Sequence, residues 1–143
     1  MEEQNKYFTF GSEMGDAYAA DAVSPNLILL RKLLFQHCNK VYCNEIDEIA
    51  PILRVDGEFS DFNFEGSERL RLSKKFRYIT IDVVMPQARW RSKTDFEIRE
   101  YIIVNLKGAL EAMVKRLKKE KYGVQETQLW EDFSEVEKEF LCN

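Results

Sequence analysis

The stretch from Phe76 to Tyr122 constrains this chain more than any other, because it reads as a long strand, a tight exit and a long helix. Residues 76–85 alternate with period two. Ile79, Ile81, Val83 and Met85 share one side, and Phe76, Tyr78, Thr80 and Asp82 the other. Such alternation marks a strand with one packed face and one wetter face. Pro86 has no N–H to donate and ends the ladder. Thr94-Asp95-Phe96-Glu97 forms a capping box, with Thr94 as N-cap and Glu97 at the third helical position. Ile98, Ile102, Leu106, Ala109, Leu110, Met113 and Leu117 then recur at helical spacing. Lys115, Arg116, Lys118, Lys119 and Lys121 crowd the last turns, where cations suit the helix dipole, and Gly123 is the expected stop.

The rest of the chain supplies what this unit packs against. Lys6–Phe10 reads as a short strand, and residues 12–22, small and acidic, as a loop or weak helical turn. Ser24-Pro25 signals a helix start, with serine as N-cap and proline at the first helical position. Leu27, Leu30, Leu33, Leu34, Cys38 and Val41 mark a wide apolar face on a helix running to about Asn39, expected to lie against a sheet. Asp56-Gly57 between Ile49–Val55 and Glu58–Phe64 is a two-residue hairpin signal, since both positions tolerate positive φ. Arg69–Leu72 is a further short strand, and Ser73-Lys74-Lys75 turns into the strand at 76–85. Trp130, Phe133, Val136 and Phe140 space a short amphipathic helix over Leu129–Leu141. The expected fold is a single α+β domain over residues 1–143. Its antiparallel meander of about four to five strands packs with one N-terminal helix, one long C-terminal helix and a short terminal helix.

Composition limits the function classes. With 45% apolar and 32% charged residues the chain has the make-up of a soluble globular protein. Its net charge of −4 argues against a whole-domain affinity for nucleic acid phosphates. No apolar run approaches the ~18–20 residues that span a bilayer, so no membrane partner is expected. The acidic, polar start Met-Glu-Glu-Gln-Asn-Lys is unlike a signal peptide, and a cytoplasmic location is the expectation. Cys38, Cys43 and Cys142 are odd in number and lack C-x-x-C spacing, which fits reduced thiols.

Charge is sorted along the chain. Between Asn44 and Glu68 stand Glu45, Asp47, Glu48, Asp56, Glu58, Asp61, Glu65 and Glu68 against one base, Arg54. From Arg69 to Lys93 stand Arg69, Arg71, Lys74, Lys75, Arg77, Arg89, Arg91 and Lys93 against one acid, Asp82. One explanation is charge matching between neighbouring strands. The functional one is a docking surface: Asp56, Glu58, Asp61 and Glu65 interleaved with Phe59 and Phe62 suit a basic protein partner. Trp90 either seals the gap between strand and helix or, with Arg89, joins this candidate partner-binding set, because both types are over-represented at interface hot spots. The basic run around Phe76 and Tyr78 loosely matches a nucleic-acid patch, a lesser alternative beside a generic protein–protein adaptor.

Catalytic patterns are not evident. His37 is the lone histidine, and no local arrangement pairs it with a cysteine and an orienting acid. Phosphate-binding, dinucleotide, zinc-protease and nucleophile-elbow motifs do not occur. Asp56 with Glu58 or Asp61 at a hydrated hairpin tip is a poor place to shift a pKa. No catalytic residue, metal ligand or cofactor is expected.

Four segments together resemble a known group: Val-Asp-Gly-Glu-Phe (55–59), Arg-Leu-Arg-Leu-Ser-Lys-Lys-Phe-Arg-Tyr-Ile-Thr-Ile-Asp (69–82), Pro-Gln-Ala-Arg-Trp (86–90) and the helix after Thr94. They resemble the small α+β immunity proteins of bacterial polymorphic-toxin and contact-dependent competition systems, over a little under half the chain. The resemblance implies a non-enzymatic inhibitor that binds a cognate toxin domain, often a nuclease, in the cytoplasm of the producing cell. Carboxylates would then occupy a cleft built for phosphates.

Overall fold

The computed structural model describes residues 7–8, 11–14, 17–56, 68–72, 77–86 and 93–142. In chain order these form β1 (Tyr7–Phe8), β2 (Gly11–Met14), α1 (Ala17–Cys38), β3 (Glu48–Asp56), β4 (Arg69–Leu72), β5 (Arg77–Pro86), α2 (Asp95–Lys119) and α3 (Glu126–Cys142). The class is α+β, with three helices and a mixed sheet among the described residues.

The centre of the sheet is not the expected antiparallel meander. β3 pairs with β5 in parallel along its whole length, from Glu48↔Tyr78 to Asp56↔Pro86. On its other edge β3 takes β1 and β2, also in parallel, with Gly11↔Ile52 through Met14↔Val55. A strand has two hydrogen-bonding edges, and over Ile52–Val55 both are filled. The hairpin expected between Ile49–Val55 and Glu58–Phe64 is therefore not formed by β3. Residues 58–64 themselves lie outside the described residues. Among the described strands only β4 runs antiparallel, with Arg69↔Thr80 and Leu72↔Arg77 on β5.

The two faces of β5 divide as its alternation requires. Ile79, Ile81 and Val83 are fully buried, and the register sets Ile49, Pro51 and Leu53 of β3 beside them on that face. Tyr78, Thr80 and Asp82 on the opposite face are half-buried. α2 covers the apolar face, contacting β5 and β3. Its buried stripe runs from Ile98 to Leu117 and includes Ile102, Leu106, Leu110 and Met113. The Thr94 capping box is formed in both directions: Thr94 Oγ1 accepts from the Glu97 N–H at 3.2 Å, and Glu97 Oε1 accepts from the Thr94 N–H at 2.9 Å.

α1 starts at Ala17, ahead of Ser24-Pro25, so residues 17–22 of the stretch expected as a loop or weak helical turn open a long helix, and residues 12–14 of it belong to strand β2. Alanine at 17, 19, 20 and 22 has the highest helix propensity, which helps the helix to carry Pro25 inside it at the loss of one backbone hydrogen bond. Leu27, Leu30, Leu33, Leu34 and Cys38 are buried as expected, and α1 packs chiefly against α3 and to a lesser extent against β1 and β2 of the sheet. Val41 falls beyond the helix and is partly exposed. α3 turns Leu129, Phe133, Val136 and Phe140 into the core, and the Trp130 ring meets Phe133 edge to face at 6.1 Å. The long helix stops before Gly123: Glu120 is its C-cap and Lys121 takes the left-handed conformation at φ 68°. Backbone hydrogen bonds close this end from Tyr122 N to Leu117 O and from Lys121 N to Lys118 O. They satisfy carbonyls that a helix end would otherwise orphan.

Candidate partner-binding site

The parallel pairing of β3 with β5 sets where the candidate residues can be. Asp56 and Pro86 are partners at the last rung, so the chain leaves both strands at one end of the sheet. The segment carrying Glu58, Phe59, Asp61, Phe62 and Glu65 starts there, and so does the one carrying Arg89 and Trp90. Those seven residues lie outside the described residues, and Asp56 is placed by its backbone in β3. β2 ends beside Val55, so the chain enters α1 from this end as well. β4 runs back from it, because Arg69 sits beyond Leu72 toward the carboxyl end of β5. The sequence presents two separate patches, and the parallel register has the segments that carry them begin at the same end of the sheet. In open sheets with parallel strands, the carboxyl ends are where ligands are commonly met.

Part of the sorted charge is consumed by structure. Arg77 grips Asp47 with two guanidinium bonds, Nε to Oδ2 at 3.2 Å and Nη2 to Oδ1 at 3.1 Å. The Arg77 main-chain N–H adds a third, to Oδ2 at 2.9 Å, and the pairing with Asp47 raises the guanidinium pKa. Arg69 lies 3.6 Å from Asp82 on the neighbouring strand, and Arg116 of α2 lies 3.7 Å from Glu68. Charge matching thus accounts for Asp47 and Glu68 in the acidic run and for Arg69 and Arg77 in the basic one. On β4 and β5, Arg71 stands opposite Tyr78 and Arg69 opposite Thr80.

Helix α2 is held at its start by a small polar joint. Asn26, 3% exposed, donates to Asp95 Oδ1 at 3.0 Å and accepts from Arg99 Nε at 2.8 Å. Arg99 also pairs with Asp95 at 2.9 Å and lies over the Phe140 ring at 5.9 Å, so one guanidinium ties all three helices. The capping contacts of Thr94 hold the exposed Glu97 carboxyl below its usual range.

A second polar cluster escaped the sequence reading. Asp132 of α3, 9% exposed, accepts from the Tyr42 hydroxyl at 2.6 Å, from Lys40 at 3.1 Å and from Gln128 at 3.0 Å. Burial pushes its pKa up, but the hydrogen bonds from Tyr42, Lys40 and Gln128 outweigh it, and the net shift is downward. Burial and the bond to Asp132 raise the Tyr42 phenol. Burial also pushes the Cys38 thiol to about 12 and the Cys43 thiol to about 11, far from a nucleophile's range. The adjoining cavity, between Lys40 and Ile49, holds only about 10 Å³, too little for a substrate. The signal in the sequence was Asp132 itself, one position from Phe133 on the apolar stripe of α3.

His37 Nε2 meets Glu139 Oε2 at 2.8 Å, a second tie between α1 and α3. The three cysteines are free thiols, Cys38 and Cys43 buried and Cys142 exposed. Among the described residues no group of three or more His, Cys, Asp or Glu is placed to hold a metal ion. A larger open groove of about 270 Å³ runs between α2 and α3, lined by Glu111, Val114, Lys115, Lys118, Glu126 and Trp130, with Lys118 bonded to Glu126 at 3.0 Å. Among the described residues no helix is long and apolar enough to cross a membrane.

No curated protein and no solved structure matches the chain. The family model described as immunity protein 44 matches residues 6–140, from ahead of β1 to the last turn of α3. That span is far wider than the segments on which the resemblance to immunity proteins first rested, and the chain belongs to the immunity protein 44 family.

Proposed function

We propose that this protein is a non-enzymatic immunity protein that binds a cognate toxin domain and blocks it in the cytoplasm of the cell that makes the toxin. The acidic segment after β3 meets a basic surface of the toxin, of the kind a nuclease uses to hold phosphates. Arg89 and Trp90 contribute from the segment after β5. Family membership supports the toxin-neutralising role. The observation that carries the choice of surface is the Asp56↔Pro86 pairing, which roots the acidic segment and the Arg89–Trp90 segment at one sheet end. Carboxylates around aromatic anchors give fast, steered association with a basic partner, and Arg and Trp supply contact energy once it has docked.

The test is affinity capture from the producing cell, followed by growth rescue of cells expressing the captured toxin. The Asp56→Lys/Glu58→Lys/Asp61→Lys variant is run beside the wild type. The wild type should rescue growth and the variant should not, with a salt-dependent loss of affinity of at least about tenfold. Equal rescue and equal salt dependence would show that the acidic segment is the wrong surface.

A further inference from the structure

Among the described strands β4 is the last of the sheet on its side, paired along one edge only, with β5. In an antiparallel pair alternate residues turn their N–H and C=O away from the partner, so half of β4 offers main-chain donors and acceptors to whatever lies outside it. The link from β3 lacks the reach to fill that edge. Between Asp56, beside Pro86, and Arg69, opposite Thr80, the chain already descends about 20 Å along β5 and crosses about 10 Å of sheet. Fully extended it spans about 45 Å, too short to pass the level of Leu72, turn and climb back along β4. The side chains of the edge alternate. Leu70 packs on the core, and Leu72, on the same face, is 56% exposed. Arg69 and Arg71 stand on the other face, opposite Thr80 and Tyr78. Arg69 lies 3.6 Å from Asp82, whereas Arg71, also exposed, has no ion pair among the described residues.

Charge selects the occupant. Two copies joined edge to edge about a two-fold axis normal to the sheet would set leucines beside leucines and the arginines of one copy against those of the other, which is repulsive. The arginines therefore blunt the edge against a second copy, as charged residues on short edge strands do. An incoming strand with a carboxylate opposite Arg71 and apolar side chains opposite Leu70 and Leu72 meets every feature of the edge at once. We propose that the outer edge of β4 takes up an extended segment of the toxin polypeptide as an added strand, with an acid between two apolar residues. Main-chain hydrogen bonds supply the affinity of such an addition, and the alternating side chains supply its selectivity. This rests on the immunity reading and adds to it a contact of opposite charge to the one at the β3 end. A wrong partner must match both signs at once, which raises specificity.

The experiment is Leu72→p-benzoylphenylalanine in the full chain, irradiated in the producing cell, with the adduct identified by mass spectrometry. The expected adduct joins position 72 to a toxin peptide in which Asp or Glu stands between apolar residues. Its yield should fall at least about threefold when Arg71→Glu is added, with an unchanged melting temperature. Should that variant fold poorly, Arg71→Gln gives the same readout. Deuterium exchange separates strand addition from a side-chain contact. With the captured toxin bound, amides of Arg69–Leu72 in the wild-type chain should exchange at least about tenfold more slowly than in the chain alone. An adduct to a second copy, to lipid, or to nothing overturns the proposal, as does unaltered exchange or a yield indifferent to the charge reversal. A toxin captured by the chain without an adduct at position 72 removes this edge and leaves the immunity reading intact. A charge-dependent adduct to an acidic segment of a protein that is not a toxin keeps strand addition at the edge and removes the immunity reading.

Discussion

Arg77 holds Asp47 with side chain and main chain together: the guanidinium forks onto both carboxylate oxygens, and the two backbones exchange a further bond from Asp47 N to Arg77 O at 2.8 Å. Asp47 immediately precedes β3 and Arg77 opens β5, so the pair fixes where the parallel ladder begins. Asp47→Ala should cost about 1–2 kcal/mol, the scale of a lost charge-assisted hydrogen bond reduced by the partial exposure of Arg77. Arg77→Lys should recover only part of the difference, because an ammonium cannot fork. Urea unfolding midpoints of the two variants measure both.

Asp132 and Tyr42 are coupled more strongly than their sequence separation suggests. Asp132→Ala removes the carboxylate that accepts from the buried Tyr42 hydroxyl and should cost about 2–3 kcal/mol. Tyr42→Phe removes one of three donors and should cost about 1–2 kcal/mol. A double-mutant cycle should show coupling on the order of 1 kcal/mol, whereas additive losses would mean independent roles. The pH sign follows from the lowered carboxyl: its stabilisation is present above the ordinary aspartate value and is lost as pH falls below that value through the folded one. An acid titration of stability should be shallower in Asp132→Asn.

The thiols should divide by burial. Ellman's reagent should label Cys142 promptly in the native protein, and Cys38 and Cys43 only on unfolding. Their thiols titrate in the fold at about 12 and about 11 against an ordinary 9.0. The native state therefore keeps protons that the unfolded chain releases. Stability present below about pH 9 should decline as pH rises toward 11 and 12, and Cys38→Ala should lessen that decline.

Lys121 takes a left-handed backbone that glycine adopts without strain. Lys121→Gly should stabilise the fold by about 1 kcal/mol, with the Tyr122 and Lys121 backbone bonds retained. A rise of a few degrees in the melting temperature is the readout. An unchanged or lower value would mean that the lysine side chain contributes more than its backbone costs.

Local chemistry made much of this protein legible. The Thr94–Glu97 box, the Ile79–Val83 alternation and the Trp130–Phe140 spacing each carry their whole signal within one turn or one strand, and the fold uses all three as read. Pro25 misled because a proline start signal is also local, while a preceding run of alanines extended the helix through it. Asp56-Gly57 misled for a deeper reason. A turn signal states a tendency to reverse, but which strand fills each edge of β3 is a competition among segments distant in sequence. β5, β1 and β2 took both edges. That outcome is tertiary, and it rooted the acidic segment and the Arg89–Trp90 segment at one end of the sheet. Burial of Asp132 is tertiary too, since its donors Tyr42 and Lys40 approach only when α3 packs on α1. The sequence by itself determined the elements and their apolar faces, because periodicity and capping act within a few residues. Strand partners, the shared exit edge and the buried carboxylate were decided by the tertiary structure, because each depends on hydrogen-bonding groups that only folding brings together.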